Sequence, residues 1–330
     1  MITGSLLVLL VSPAAAGGRD SGWAQRRLDL RRAVFGSTTL PTRSRPDAIV
    51  DVVDCRDAPA SCAASGGVSA SAGIQRITWN ISHGYFPLTS TTYRVPVRKG
   101  RQSDSIMLHH HGHSASCMNW SSAAWPDPYW GRWGCPQRRF WDYYNVSTFI
   151  HERLGMDYVM LYMPLLGINT QSGPECVGPK CVPGNILPHC RRRNTTACHN
   201  WLRQWETAKG DRTIGYYLEP VHLTINYALS VLGYKHVYMM GLSGGGWTTT
   251  LAAALDPRIE VSFPIAGSTP LSITGPTYWD VIGDYEQRPQ PSDPSWFLSA
   301  CNYTCMYVLA GLEPGRTSLQ VLHENDNCVR

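Results

Sequence analysis

The sequence predicts an α/β protein whose mainly parallel sheet is covered on both faces by helices. From residue 73 onward, apolar strand-like runs alternate with segments of helical periodicity. Strands that alternate with helices along a chain pair in parallel, because each helix returns the chain across one face of the sheet. A length of 330 residues and a hydrophobic content of 43% are sufficient for such a core. The predicted domain therefore covers residues 73–330.

The N-terminal residues 1–16 have the pattern of a secretory signal peptide. An apolar run from Ile2 to Val11, too short to span a bilayer, precedes the small residues Ala14 to Ala16, as at a signal peptidase site. No later stretch reaches the roughly 18 consecutive apolar residues of a membrane helix. We therefore expect a secreted, extracellular protein without a stable membrane anchor.

Sequons and cysteines also fit an exported chain, because glycans and disulfides are added in the secretory pathway. Many of the 11 cysteines are close enough in sequence to close small loops, which leaves Cys328 without a near neighbour. None of the spacings gives the paired knuckles of a structural zinc site, so no metal is expected. The sequons start at Asn80, Asn119, Asn145, Asn194 and Asn302. The pairs that proximity favours are Cys55–Cys62, Cys117–Cys135, Cys176–Cys181, Cys190–Cys198 and Cys301–Cys305.

The net charge of +5 does not indicate a nucleic-acid partner. It comes mostly from scattered arginines, and the longest basic run is Arg191 to Arg193. No stretch interleaves basic and aromatic residues as a nucleic-acid groove does. A small-molecule partner is expected instead, and the oligomeric state is left open.

Two segments depart from the alternation of strands and helices. Residues 17–72 are rich in Ala, Ser, Gly, Arg and Pro with little periodicity, which predicts an extended N-terminal segment. Residues 167–216 are too long for an ordinary connection and contain four cysteines. They predict a disulfide-rich, lid-like insertion.

Apolar runs bounded by turn residues define the strands of the domain, and apolar residues at helical spacing define its helices. Pro220 favours a helix start and Gly233 a helix end. The predicted strands are Ile74–Ile81, Thr91–Val97, Ile106–His111, Tyr158–Met163, Val237–Met240, Val261–Ile265 and Leu319–Leu322. The predicted helices are Phe140–Leu154, Pro220–Leu232, Trp247–Leu255 and Met306–Leu312.

The motif Gly241-Leu242-Ser243-Gly244-Gly245 lies between a predicted strand and a predicted helix. A serine at such a sharp turn has strained backbone geometry, and Gly241 and Gly245 are needed because side chains there would collide. Backbone N–H groups at the helix start favour developing negative charge. We predict a nucleophile elbow with Ser243 as nucleophile. The alternative is a plain glycine-rich turn, or a phosphate loop without the Walker lysine.

A second motif, His111-Gly112-His113, ends the predicted strand that begins at Ile106. It is similar to the His-Gly loop that follows the third strand of α/β-hydrolases. A rival interpretation makes His109, His111 and His113 metal ligands, because alternate strand residues share a face, but no neighbouring Asp accompanies them. In the simplest interpretation they are buried, hydrogen-bonded histidines.

Together the two motifs resemble the α/β-hydrolase superfamily, in particular its secreted esterase-like and peptidase-like branches. The resemblance implies a serine hydrolase in which Ser243 attacks a carbonyl and water later releases the acyl group, without a cofactor. It also implies that the N–H of Gly244 and that of His113 or Ser114 hold the oxyanion. The expected partner is a small-molecule acyl substrate, most simply a carboxylic ester.

The remaining catalytic groups are expected after later strands, in the order serine, acid, histidine. Asp326, beyond the predicted strand Leu319–Leu322, is the first candidate for the acid, and Asp284 is the alternative. The resemblance implies a further strand with the catalytic histidine after it, whereas the sequence ends at Arg330. We therefore expect either a longer natural chain, of which this form is impaired, or an inactive relative that serves as an extracellular binding protein.

Overall fold

The computed structural model describes most of the predicted domain and part of the N-terminal segment. Several predicted features lie outside the described residues. They are His113, Ser114, Asp284, Asp326, the sequons at Asn119, Asn145 and Asn194, and the cysteines at 55, 62, 117, 135, 190, 198 and 328. The described residues are 6–11, 21–51, 75–81, 83, 88–96, 103–112, 146, 149–165, 169, 174–177, 180–183, 199, 202, 212–270, 285–287 and 296–323.

The described strands form one large sheet and a small hairpin. They are β1 Leu6–Val11, β2 Ala48–Asp51, β3 Gln75–Ile81, β4 Leu88–Val95, β5 Ser105–His110, β6 Asp157–Leu161, β7 Pro174–Val177, β8 Lys180–Pro183, β9 His236–Leu242, β10 Ile259–Ile265 and β11 Thr317–His323. The large sheet has the order β1-β11-β10-β9-β5-β6-β4-β3-β2. Its five central strands, from β11 to β6, are parallel, and the strands on both flanks are antiparallel. The predicted parallel centre is confirmed.

Some of the described helices lie where the sequence predicts helices, whereas those at Ser21–Phe35 and Phe297–Ala300 were not predicted. The described helices are α1 Ser21–Phe35, α2 Gly215–Ser230, α3 Gly244–Leu255, α4 Phe297–Ala300 and α5 Tyr303–Ala310, with a π-helical turn at Phe149–Leu154 and a 3-10 turn at Tyr285–Gln287. Several helix boundaries differ from the predicted ones, and the clearest case is α2, which begins at Gly215, five residues before Pro220. Tyr216, Tyr217 and Leu218 are buried in the core, and their burial outweighs the hydrogen bond that the proline cannot donate.

Helix α3 lies at the centre of the packing. All of its residues are buried, between β9 and β10 on one side and α1, α2 and α5 on the other. The run Ala252 to Ala254 lets neighbouring elements approach its second half, and Trp247 fills the space beside its first turn with an indole that is 0% exposed. The helix that follows Ser243 is therefore fixed on every side by apolar contacts.

The N-terminal segment 17–72 is not extended throughout, which corrects the prediction, because α1 occupies fifteen of its residues. Its arginines bind the free carbonyl groups at the ends of other helices. Arg27 donates to the carbonyl oxygens of Ala254 and Leu309, each at 2.8 Å. Arg31 donates to the last carbonyl of α3 at 2.7 Å. These cations satisfy acceptors that a helix C-terminus leaves unpaired.

Arg316 completes this arrangement from the start of β11. Its buried guanidinium donates to the carbonyl oxygens of Ala253 at 2.6 Å, Ile259 at 2.9 Å and Leu309 at 2.9 Å. It also forms an ion pair of 2.6 Å with Glu313, which Arg27 contacts as well. One side chain thus joins α3, α5 and the sheet.

The described parts of the predicted insertion 167–216 pack onto the body of the domain. The side chain of Asn169 is buried and accepts a hydrogen bond from the backbone N–H of Thr91 at 2.8 Å. His199 is buried against Glu286, with 3.2 Å between Nδ1 and Oε1. The insertion is therefore anchored at these two points, while its role as a lid stays a prediction.

Strand β1 lies inside the predicted signal peptide 1–16. It pairs antiparallel with β11, with Leu6 opposite His323 and Val11 opposite Ser318. Cleavage after residue 16 would remove this edge strand from the mature sheet, and that cleavage stays a prediction. Among the described helices, none combines the length and the apolar character that crossing a membrane requires.

Two of the predicted disulfides involve described residues. Cys301 and Cys305 are bonded, with their Cα atoms 5.4 Å apart, as proximity in sequence predicted. Cys176 and Cys181 lie directly opposite each other in the hairpin of β7 and β8. That register brings their backbones together, and the bond itself stays a prediction.

Replacement of Arg316 by Met should lower the free energy of unfolding by about 3 kcal/mol, because it removes the guanidinium donor to the Ala253 and Ile259 carbonyl groups and leaves Glu313 paired with Arg27 alone. Urea unfolding followed by circular dichroism measures the change. Arg32→Met is the matched control, since Arg32 forms an exposed ion pair with Asp29 and should change stability by less than about 0.5 kcal/mol. Equal losses in the two variants would contradict this account.

Candidate active site

Ser243 occupies the turn between β9 and α3 in a strained conformation. Its φ is 57° and its ψ is −124°, which is unusual for a residue with a Cβ atom. Its backbone N–H donates to the carbonyl oxygen of Ile265 at 2.9 Å, and its own carbonyl oxygen accepts from Trp247 at 3.0 Å. Ser243 is exposed, although α3 is buried from its first residue. The turn therefore presents this serine to solvent from a rigid base.

Glycine is required on both sides of the serine because backbone segments touch there. A Cβ atom on Gly241 would overlap the carbonyl oxygen of Gly245, and one on Gly245 would overlap that of His110. Gly112 has a φ of 58°, and a Cβ atom there would lie 2.5 Å from the nitrogen of Gly245 and 2.7 Å from the oxygen of Leu242. The loop that follows β5 is thus in direct contact with the turn at Ser243.

A second contact of this kind, between Gly246 and Gly267, was not predicted. A Cβ atom on Gly246 would overlap the carbonyl oxygen of Ile265, and one on Gly267 would overlap the backbone of Gly246 and Trp247. The available signals were the third consecutive glycine in the motif and the glycine that follows the strand β10. The turn is therefore held between the loops after both neighbouring strands.

The start of α3 offers backbone donors to an anion. The first N–H groups of a helix have no acceptor within the helix, and the Ser243 side chain does not cap them. The helix dipole adds partial positive charge at the same end. Gly244, the predicted oxyanion donor, is the first residue of this helix. The second predicted donor, His113 or Ser114, lies outside the described residues.

The loop after β5 is fixed by hydrogen bonds on two sides. Gly112 donates its N–H to Nδ1 of His110 at 3.2 Å, and His111 donates its N–H to the carbonyl oxygen of Leu161 at 2.9 Å. The role of His110 was not predicted, because the predicted roles concerned only the alternate histidines His109, His111 and His113, which share one face of a strand. Its ring is buried and holds the turn of the loop.

The alternate histidines, His109 and His111, meet a tyrosine. Nδ1 of His109 lies 2.5 Å from the hydroxyl oxygen of Tyr158, and Nε2 of His111 lies 3.3 Å from the same oxygen. Burial, helped by His111 and His110, lowers the pKa of His109 well below its usual value, and burial lowers the pKa of His111 to about 4. These contacts favour the interpretation as hydrogen-bonded histidines. In the described part of the chain, no three His, Cys, Asp or Glu residues are grouped to hold a metal.

Strained backbone is concentrated at the carboxyl edge of the sheet. The described non-glycine residues with positive φ are Leu165, Ser243 and Ala266, each just beyond the end of β6, β9 or β10. Such strain persists only where the surrounding structure holds it, and it is typical of functional sites. The carboxyl ends of parallel strands are also where open α/β sheets bind ligands.

The end of β11 lies at the same edge. Val321 is level with Ile265 of β10, and its carbonyl oxygen accepts from the N–H of Ala266 at 2.9 Å. Ile265 is in turn level with Leu242, the residue before Ser243. Strand β11 thus ends two strands from the serine. Asp326 follows β11 in sequence, but it and Asp284 lie outside the described residues.

Solved structures show similarity to this fold at low sequence identity. A protein from Bacteroides fragilis NCTC 9343 that is assigned as an acetyl xylan esterase superposes with a TM-score of 0.54 at 11% identity. The match covers 88% of this chain and 65% of that protein. Acetyl xylan esterase 1 from Thermoanaerobacterium sp. JW/SL YS485 gives 0.47 at 12% identity, over 91% and 84%. The acetyl xylan esterase from Paenibacillus sp. R4 gives 0.35 at 11% identity, over 90% and 75%.

The comparisons establish the fold and no more. This chain spans about two thirds of the length of the Bacteroides protein. No protein-family model matches the sequence. No curated protein matches it either. The sheet order and the similarity to the Bacteroides structure together show an α/β-hydrolase fold.

The ring of His111 should titrate with a midpoint near pH 4 in the folded protein, and NMR of the histidine ring signals measures it. The unfolded chain takes up this proton near pH 6.5. The contribution of the neutral His111 ring to the free energy of unfolding is therefore fully present above about pH 6.5. It decreases as the pH falls toward 4. The variant His111→Gln identifies the signal and should lose this part of the pH dependence. A midpoint near 6.5 would contradict the burial that we describe.

Proposed function

We propose that this chain is a secreted serine hydrolase that cleaves a carboxylic ester through an acyl-enzyme at Ser243. The observation that supports the proposal most strongly is the strained, exposed serine at the start of a buried helix. Strain of this kind lowers stability, so its presence at a single exposed hydroxyl points to a reactive group. The glycines that touch around it keep the hydroxyl accessible while they fix its position.

The chemistry follows from the position of Ser243. Its oxygen would attack the ester carbonyl carbon while the general base takes the hydroxyl proton, and the carbonyl electron pair would move onto oxygen to give a tetrahedral oxyanion. The N–H of Gly244 would stabilise that oxyanion, with a second N–H from the loop after Gly112. Collapse would release the alcohol, protonated by the general acid, and leave the acyl group on Ser243. Water would then attack the acyl group by the same route and release the carboxylic acid.

Asp326 is our candidate for the carboxylate that orients the catalytic histidine. The support is indirect, since β11 leaves the sheet two strands from the serine and level with it. We assign the general base to none of the described histidines whose ring nitrogens already bond elsewhere in the fold. Those histidines are His83, His109, His110, His111, His199, His222 and His236.

An ester of a short acyl group is the proposed substrate class. The Bacteroides protein with the same fold is assigned as an acetyl xylan esterase, which favours acetyl esters as the first compounds to test.

Exposed sequon residues support passage through the secretory pathway. Asn80 lies on β3, and Asn302 precedes α5 between two bonded cysteines. We propose both as glycan acceptors, in addition to Asn119, Asn145 and Asn194.

In the natural full-length protein, hydrolysis of p-nitrophenyl acetate should fall by at least about a thousandfold on Ser243→Ala, because the nucleophile is lost and only residual transition-state stabilisation remains. Ser268→Ala is the matched control. Ser268 also follows a central strand, but its hydroxyl bonds the Tyr307 hydroxyl at 3.0 Å, so activity should stay within about threefold.

Labelling with a fluorophosphonate followed by peptide mapping shows whether Ser243 is a reactive nucleophile, independently of whether the protein completes ester hydrolysis. For the natural full-length protein, the proposal predicts that Ser243 is labelled and that p-nitrophenyl acetate is hydrolysed. A folded protein that neither labels at Ser243 nor hydrolyses the ester would contradict it. Labelling without hydrolysis would locate the defect at the general base and contradict the proposed turnover.

A further inference from the structure

A cluster of aromatic rings supports the loop after β5 from the side of β6. Tyr158 and Tyr162 come from β6 and the residue after it, and His109 and His111 come from the end of β5. The His111 ring stacks on Tyr162, with centroids 5.3 Å apart and an interplanar angle of 21°. It also lies 4.3 Å from the His109 ring. The ring of His111 is therefore enclosed on two sides.

The hydroxyl of Tyr158 bridges the two histidines. It lies 2.5 Å from Nδ1 of His109 and 3.3 Å from Nε2 of His111. A phenol has one proton to donate and lone pairs to accept with, and a neutral imidazole has one donor and one acceptor nitrogen. In the arrangement that we infer, the hydroxyl donates to one histidine and accepts from the other.

His111 transmits this constraint to the serine turn through the backbone. The next residue, Gly112, lies against Leu242 and Gly245, so close that a Cβ atom could not be accommodated. Because the ring is attached to the backbone one residue before Gly112, the contacts that hold the ring also restrict the peptide between His111 and Gly112. The backbone that continues from Gly112 is the one expected to supply the second oxyanion donor.

We propose that Tyr158 is a positioning residue of the hydrolase site, whose hydroxyl bridges His109 and His111 and so holds Gly112 against the turn at Ser243. The catalytic part of this inference rests on the function proposed above. The bridge itself does not, because it is a property of the folded protein. Donors held in place before the reaction stabilise an oxyanion most effectively, and small displacements reduce that effect.

The bridge makes a specific prediction about tautomers. If Tyr158 donates to Nδ1 of His109, both rings carry their proton on Nε2; if it donates to Nε2 of His111, both carry it on Nδ1. The two histidines must therefore have the same tautomer in either direction. Two-dimensional ¹H–¹⁵N NMR of the imidazole nitrogens in the parent protein distinguishes the forms. Different tautomers, or rings that average between tautomers, would overturn the bridge without any variant.

Tyr158→Phe tests the effect on catalysis. We expect kcat for p-nitrophenyl acetate to fall about tenfold while KM stays within about twofold, since removal of a full oxyanion donor costs roughly 10²–10³. The histidine signals should change from a single tautomer to a mixture. Tyr93→Phe is the matched control, because it removes a buried hydroxyl from a ring that packs on Tyr162, 6.5 Å away between centroids. Its kcat and histidine signals should stay close to those of the parent.

The outcomes separate this inference from the proposed function. Absence of ester hydrolysis in the parent would contradict the proposed function, while the tautomer measurement would still decide the bridge. A folded Tyr158→Phe protein with parental kcat would overturn the positioning role. An equal loss of kcat in Tyr93→Phe would overturn it too, because the loss would then reflect general destabilisation of the cluster.

Discussion

Three backbone segments meet at the carboxyl edge of the sheet with no side chain between them: the loop after β5, the turn after β9 and the turn after β10. Gly112, Gly245 and Gly267 are the points of contact, and a Cβ atom at any of them would meet neighbouring backbone. The strained φ of Ser243 is maintained by this contact and by its hydrogen bond to Ile265. The position, the exposure and the backbone strain of Ser243 all depend on this contact between backbone segments.

The opposite end of α3 is fixed by charge. Arg27, Arg31 and Arg316 donate to carbonyl oxygens of its last turn, which would otherwise be buried without donors. The helix is thus held by glycine contacts in its first turn and by guanidinium groups in its last turn. Because contacts hold both ends, the N–H of Gly244 has a fixed place at the helix start, and a donor held in place before the reaction is what oxyanion stabilisation requires.

The sequence predicted the structure well where a catalytic motif lies between a regular strand and a regular helix. The strand before Ser243 and the helix after it were predicted from periodicity, and both are present. Helix α1 was not predicted, because its Arg27 and Arg31 face carbonyl groups distant in sequence and weaken the apolar pattern of a surface helix. The bridge from Tyr158 to His111 was missed for a similar reason, since it joins neighbouring strands whose pairing the sequence does not specify.

The central claim is that the turn at Ser243 is built to form and hold an oxyanion. A crystal structure of the protein after reaction with diethyl p-nitrophenyl phosphate tests it most directly, since the bound phosphoryl oxygen mimics that oxyanion. Our account predicts a covalent bond from Ser243 Oγ to phosphorus and a phosphoryl oxygen within about 3 Å of the Gly244 nitrogen. An adduct on another residue, or a phosphoryl oxygen directed away from Gly244, would contradict it.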